Sequence, residues 1–204
     1  MRLPCWPTLA LSLLAAAPLS FAATATDATP VQTVQDFCDA LIAAMKQGPV
    51  LGFAGRRQLL DPQIRRALDL PLMTRLVVGP PWKNLAAPDQ QRLVDAFSDY
   101  SIAVYASRFK EYGGERFVVE PAATRRPNGD ALVSTTLFPK EGEAVQLDYL
   151  MRESSRGWQV IDVFLSGTIS ELAARRSEYS AVFRTGGAAA LVDLLLKKTA
   201  EFGG

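Results

Sequence analysis

The chain contains no histidine. That excludes Ser-His-Asp and Cys-His catalysis, and with them the metal sites that depend on imidazole. Cysteine is nearly as scarce. Cys5 and Cys38 are the two present, and Cys5 lies in an N-terminal segment that reads as cleaved. One remaining thiol can form neither an intrachain disulfide nor a thiolate zinc site. Net charge is missing too. Without residues 1–22 the chain loses Arg2 and no acidic residue, which leaves 21 side chains of each sign. Such neutrality speaks against nucleic acid as a partner, because phosphate binding needs a concentrated basic surface. Beyond the N-terminus no uncharged run is long enough to span a bilayer.

What is present begins with an address. Arg2 precedes an apolar stretch from Leu9 to Leu19, and small residues follow at Ser20-Phe21-Ala22 and Ala23-Thr24-Ala25. This order predicts a signal peptide over 1–25, export, and a mature chain starting near Ala23 or Thr26. Cys5 stands before the apolar run, so it is not placed as a lipid-acceptor cysteine.

Thr29-Pro30 then supplies an N-cap and a first-turn proline. Val31, Val34, Cys38, Leu41, Ile42 and Met45 follow at helical spacing, and Gly48-Pro49 is the expected stop. A basic helical patch, FAGRRQLL, leads to a second start at Asp61-Pro62. A third short segment from Pro71 carries Leu72, Met73, Leu76 and Val77 before Gly79-Pro80-Pro81. Several short helices of this kind predict a lid or subdomain. Ala87-Pro88-Asp89 opens a long helix expected to reach Tyr112, with apolar stripes at Leu93, Phe97, Tyr100 and Val104 and at Val94, Ile102, Tyr105 and Phe109. Two adjacent stripes predict burial on more than one side.

Strands follow the Gly113-Gly114 break. Phe117–Val119 is the first, Asn128-Gly129 a hairpin turn, and ALVSTTLF the second. In the third, Val145, Leu147, Tyr149 and Met151 alternate with polar residues. Ser154–Gly157 turns the chain into the fourth, WQVIDVFL. Thr168 and Glu171 are spaced as a capping box for a helix over about 169–184, and Gly186-Gly187 separates a last helix with Leu191, Leu194, Leu195 and Phe202. Helices, a four-stranded antiparallel meander, then helices: the class is α+β.

The ordered set Trp82, Gln91-Arg92, Phe97, Tyr105, Leu147-Asp148-Tyr149, Gly157-Trp158, Asp162-Val163, Gly167, Arg175 or Arg176 with Tyr179, and Gly187/Leu191/Leu195 resembles the MlaC (toluene-tolerance) family. The resemblance covers most of the chain after the leader. It implies a periplasmic lipid carrier without cofactor, an NTF2-like sheet-and-helix half, and a single domain over 26–204 whose residues 29–82 form a mainly helical subdomain. Residues 83–204 would hold the long helix, the meander and the C-terminal helices. A lipid cavity would lie between the two parts. An inner-membrane lipid transporter, an outer-membrane partner and a role in outer-membrane lipid asymmetry are implied as well. One departure from the phospholipid carriers, Gly167-Thr168-Ile169-Ser170-Glu171-Leu172 followed by Ala174-Arg175-Arg176, looks more like the HpnM-like branch associated with hopanoid biosynthesis. The ligand is then a phospholipid or a hopanoid.

The expected lining comprises Leu72, Leu76, Phe97, Val104, Tyr105, Val133, Leu147, Tyr149, Met151, Val163, Leu165 and Phe183. Each acyl CH₂ buried contributes about 0.8 kcal/mol, and a bilayer offers nearly the same environment, so transfer between membrane and carrier can be near-neutral. Strand register is open: pairing Met151 with Val160 places Trp158, Val160 and Phe164 beside Leu147 and Tyr149, whereas a one-residue slip places Ile161, Val163 and Leu165 there. The arginine pairs 56-57, 65-66, 125-126 and 175-176 read first as solvated faces. Ser107 and Lys110 form an S-x-x-K match without companion motifs. Two other functions stay open. An NTF2-like enzyme would use Asp162 and Tyr149 as an acid–base pair on an apolar substrate. An envelope adaptor would close its apolar residues on each other.

Overall fold

The computed structural model describes residues 28–203; the signal peptide expected over 1–25 lies outside them. Helix α1 (Pro30–Ala67) starts at the Thr29 N-cap, whose side chain accepts the Gln32 N–H. It does not stop at Gly48-Pro49. The helical path breaks instead at Gly52 (φ 60°, ψ −171°), and Pro62 continues the helix rather than opening a new one. The short helices expected over this region are therefore one kinked helix, followed by α2 (Leu70–Val78) and a 3₁₀ turn at Pro80–Asn84.

The displacement of the break has a physical cause. The Gly48 carbonyl lies just before the kink at Gly52, and the Ala106 carbonyl lies in the last turn of α3 (Ala87–Arg108), where carbonyls lack intrahelical donors. Arg56 donates to both, Nη1 to Gly48 at 3.2 Å and Nε to Ala106 at 2.9 Å. This arginine of the apparent basic patch is buried, 8% exposed, and joins two helix ends. Close backbone packing fits the same spot: a Cβ on Gly48 would stand 1.8 Å from the Lys110 carbonyl oxygen. Helix α3 stops four residues short of the expected Tyr112.

The sheet has six antiparallel strands in the order β1-β3-β4-β5-β6, with β2 also pairing β3. The four expected strands are β1 (Arg116–Val119), β3 (Ala131–Phe138), β4 (Val145–Ser154) and β5 (Gly157–Leu165). Two pairs of residues add to them, β2 (Thr124–Arg125) and β6 (Ile169–Ser170). Gly129 and Gly157 turn the chain at positive φ, 88° and 84°.

Neither register considered for β4 and β5 holds along the whole pair. Met151 faces Val160, yet Tyr149 faces Val163 and Leu147 faces Leu165. A bulge opposite Leu150/Met151 absorbs Ile161 as the extra residue. Trp158 and Val160 on one side of the bulge and Val163 and Leu165 on the other thereby share the face of Leu147, Tyr149 and Met151.

Helix α4 (Glu171–Ala200) packs on α3 and α2. Its N-cap is Ser170, whose side chain accepts the Ala173 N–H, rather than the Thr168 of the expected box; the two-residue strand β6 occupies that segment. Gly187 (φ 66°, ψ −157°) breaks it near the expected place. Among the described residues α4 alone is long and apolar enough to pass for a membrane span, but it is bent at Gly187 and buries Leu172, Tyr179, Leu191 and Leu195 against its neighbours.

Candidate functional site

A cavity of about 460 Å³ opens between the helices and the inner face of the sheet. Helix α3 contributes Phe97, Ser101, Val104, Tyr105 and Arg108, spaced so that they fall on one side of the helix. The sheet contributes Leu137, Val145, Leu147, Tyr149, Val163 and Leu165, alternate residues paired in regular register on one side of the bulge. Met45 and Met73 come from α1 and α2, and Glu171, Leu172 and Arg175 from the first turns of α4. The loop after α3 closes one side with Phe109, Lys110, Glu111 and Glu115. A chain of aromatic contacts props the wall. Phe117 meets Phe109 at 6.3 Å, Phe109 stacks on Tyr105 at 6.0 Å, and Phe37 presents its edge to Tyr105 at 5.3 Å and to Tyr149 at 6.2 Å.

The apolar part of the wall carries no charge near neutral pH. Burial pushes the Tyr105 hydroxyl up to about 12 against the pull of Arg175 and Arg108. Burial likewise raises Tyr149 well above its usual value, and the Cys38 thiol behind it is pushed up to about 12. No group of three or more metal-ligating side chains exists among the described residues.

Seven of the twelve expected lining residues, Phe97, Val104, Tyr105, Leu147, Tyr149, Val163 and Leu165, border this cavity. The other five do not. Val133 and Met151 lie on the same sheet face but are sealed in the core, each 0% exposed. On α2 the cavity side belongs to Met73, with Leu72 and Leu76 half-buried elsewhere on the helix, and Phe183 packs half-buried against the core further along α4. The six charged side chains at the wall, Arg108, Lys110, Glu111, Glu115, Glu171 and Arg175, escape a search for apolar lining.

Asp162 is not one of the wall residues. Its Oδ1 accepts the backbone N–H groups of Val163 (2.8 Å) and Leu172 (3.1 Å), and its Oδ2 accepts the Ser170 hydroxyl at 2.6 Å. These bonds fix the start of α4, and Asp162 pairs with Leu150, across the sheet from the Tyr149 side. The acid–base pair required by the enzymatic reading is thus not assembled. Of the arginine pairs, Arg56 is buried, whereas Arg57, Arg65, Arg66 and Arg125 stay solvated as expected and sit beside partners. Arg57 and Arg65 meet Asp99, Arg66 meets Asp36, and Arg125 lies over the Trp158 ring.

A second, more open hollow of about 480 Å³ lies beside the first, bordered by Gly48, Pro49, Gly52, Arg56 and Tyr112 and sharing Lys110 and Glu111 with it. Its lining is more polar.

The fold resembles that of a phospholipid-binding protein from Ralstonia solanacearum solved in complex with a phospholipid. The TM-score is 0.75 and the identity 26%, with 88% of this chain and 100% of that one covered. No curated protein matches the chain. The family model described as "MlaC protein" matches residues 35–197, the span that holds α3, the sheet, all but the last turn of α4 and every wall residue of the cavity. The chain belongs to the MlaC family.

Proposed function

We propose that this protein is a non-enzymatic periplasmic carrier that holds one membrane lipid, tails in the cavity, and moves it between the envelope membranes. The observation that carries this reading is the 460 Å³ cavity itself, bounded by Phe97, Val104, Leu147, Val163 and Leu165 and left open beside a core that encloses Val133 and Met151 on the same sheet face. The similarity to a phospholipid-binding protein crystallised with its lipid supports the ligand class. Membership in a periplasmic family and the leader-like sequence of residues 1–25 support export. The carrier reading brings with it an inner-membrane lipid transporter and an outer-membrane partner as donor and acceptor.

Lining side chains would act as solvent for acyl chains. Burial of CH₂ groups supplies the affinity, and because the bilayer interior is equally apolar, loading and unloading need little net energy. Purification from the native periplasm followed by lipid extraction and mass spectrometry tests this. One equivalent of lipid per chain is expected, and the same spectrum decides between a phospholipid and a hopanoid. Protein that emerges empty and takes up neither lipid from vesicles would overturn the reading.

A further inference from the structure

The two edges of the sheet differ. On the β5 side Leu68 bridges to Val160, the Asp69 N–H donates to the Val160 carbonyl, and β6 pairs with Phe164 and Leu165. On the other side no described residue pairs with the outer edge of β1. Its ladder with β3 fixes which backbone groups are left over. The Glu120 N–H donates to the Ser134 carbonyl at 2.9 Å, so Glu120, Val118 and Arg116, spaced by two, turn their backbone groups toward β3. Phe117 and Val119 turn theirs outward, and no described residue donates to them or accepts from them. Their side chains are half-buried on the inner face, while Arg116, Val118 and Glu120 are exposed on the outer one. Neither Arg116 nor Glu120 has an oppositely charged group within 4 Å among the described residues. The Arg116 guanidinium lies 3.8 Å over the Phe138 ring, a contact that uses its flat face and leaves its edge donors open.

An open row of backbone donors and acceptors is a template for another strand. The segment Arg116-Phe117-Val118-Val119-Glu120 complements itself when two copies run antiparallel about Val118. Phe117 of one copy then faces Val119 of the other, and these are the residues whose N–H and C=O groups point outward. Arg116 of each copy stands opposite Glu120 of the other, with Val118 against Val118 between the two ion pairs. Opposite charges directly across a strand pair favour that register. The neighbouring registers lose it. Centring the pair on Val119 sets Pro121, which has no N–H, opposite the Phe117 carbonyl. Centring it on Phe117 sets Arg116 opposite Val118 and Glu120 opposite Gly114. We infer that the protein self-associates into a two-fold dimer through β1, its two sheets joined edge to edge and the register set by Arg116–Glu120 pairs. A two-fold contact of this kind closes on itself, so association stops at two chains. The seam runs only from Arg116 to Glu120, which makes the dimer weak and concentration-dependent, in the class of small interfaces.

Sedimentation velocity on the purified protein, from about 5 µM to about 1 mM, tests this. The mass is expected to rise from one chain toward two, and no further. Over the same range the Phe117 and Val119 amides, open in the single chain, should exchange more slowly. Glu120→Arg sets like charges opposite each other at both ends of the seam and should weaken association about tenfold, as should Arg116→Glu. The double variant Arg116→Glu/Glu120→Arg restores opposite charges and should associate within about threefold of the wild type. Val119→Pro removes an N–H that only the seam uses and should stay a single chain; the charge exchange carries the test should that variant not fold. Arg116 and Glu120 do not border the cavity, so lipid content should be the same in all charge variants. A single-chain mass at every concentration overturns the inference. So does a dimer that is indifferent to charge reversal, that the double variant fails to restore, or that leaves the Phe117 and Val119 amides exchanging freely.

Discussion

The Asp162 carboxylate holds the Leu172 backbone N–H at 3.1 Å, which ties the bulged strand β5 to the first turn of the helix that carries Arg175. Asp162→Ala removes that bond and the Ser170 contact together. A loss of about 1–2 kcal/mol in urea unfolding is expected, as for a helix cap, with faster hydrogen exchange at the Leu172 and Ala173 amides. Asp162→Asn keeps one acceptor oxygen and should lose less. If the exchange rates stay unchanged, the cap is not what anchors α4.

Arg56→Ala would remove the side-chain donor from two carbonyls, those of Gly48 and Ala106. At the usual cost of a buried unsatisfied group, a destabilisation of about 2–4 kcal/mol is expected. Urea titration measures it. A change under about 0.5 kcal/mol would mean that water replaces the guanidinium at both carbonyls.

Acid sensitivity should centre on Asp130. Its hydrogen bonds to Arg152, outweighing the opposing effect of burial, hold the carboxyl below its usual value. A depressed carboxylate contributes stability that is fully present above its unfolded pKa, near 4. That contribution is lost as the pH falls through the lower folded value. Stability should therefore drop on acidification below about pH 4, and Asp130→Asn should be less stable at neutral pH with a flatter acid limb. Thermal melts between pH 7 and pH 3 show whether the two curves converge.

Cys38 is 0% exposed and its thiol is pushed up to about 12 by burial, with the Tyr149 hydroxyl acting in the opposite direction. A thiol-specific chromogenic reagent at pH 8 should leave the native protein unmodified and react fully in denaturant. Rapid labelling of the native form would show that the α1–sheet contact opens readily.

Val163→Trp fills the cavity from the sheet side opposite α3, next to Tyr149. Filling a hollow costs little stability, so the melting temperature should stay within about 5 °C while co-purified lipid falls several-fold. Undiminished lipid would place the tails elsewhere.

The strands were legible because alternation and glycine turns are local signals. Val145, Leu147, Tyr149 and Met151 mark one sheet face in the sequence as they do in the structure. Alternation cannot say how far along that face the helices seal it. Met151 therefore reads like Leu147, although it is enclosed where Leu68 of the α1–α2 junction bridges to Val160. Gly48-Pro49 misleads for a comparable reason. The Gly48 carbonyl accepts from Arg56, eight residues away, and the glycine itself packs against the Lys110 carbonyl after α3, contacts that no local pattern reveals. Arg175 stands beside Arg176 in the sequence, but helical geometry sends the first to the cavity and lays the second against Gly79.

The bulge at Ile161 has an architectural consequence. An extra backbone unit bends and twists its strand, and here it stands between the half of β5 that borders the hollow, Val163 and Leu165, and the half sealed in the core, Trp158 and Val160. Deleting that single residue would restore regular pairing with each neighbour still opposite its present partner, Met151 with Val160 and Tyr149 with Val163. The wall would keep its chemistry while the strand lost its bend, so a main-chain deletion here separates the course of the strand from the side chains the guest touches.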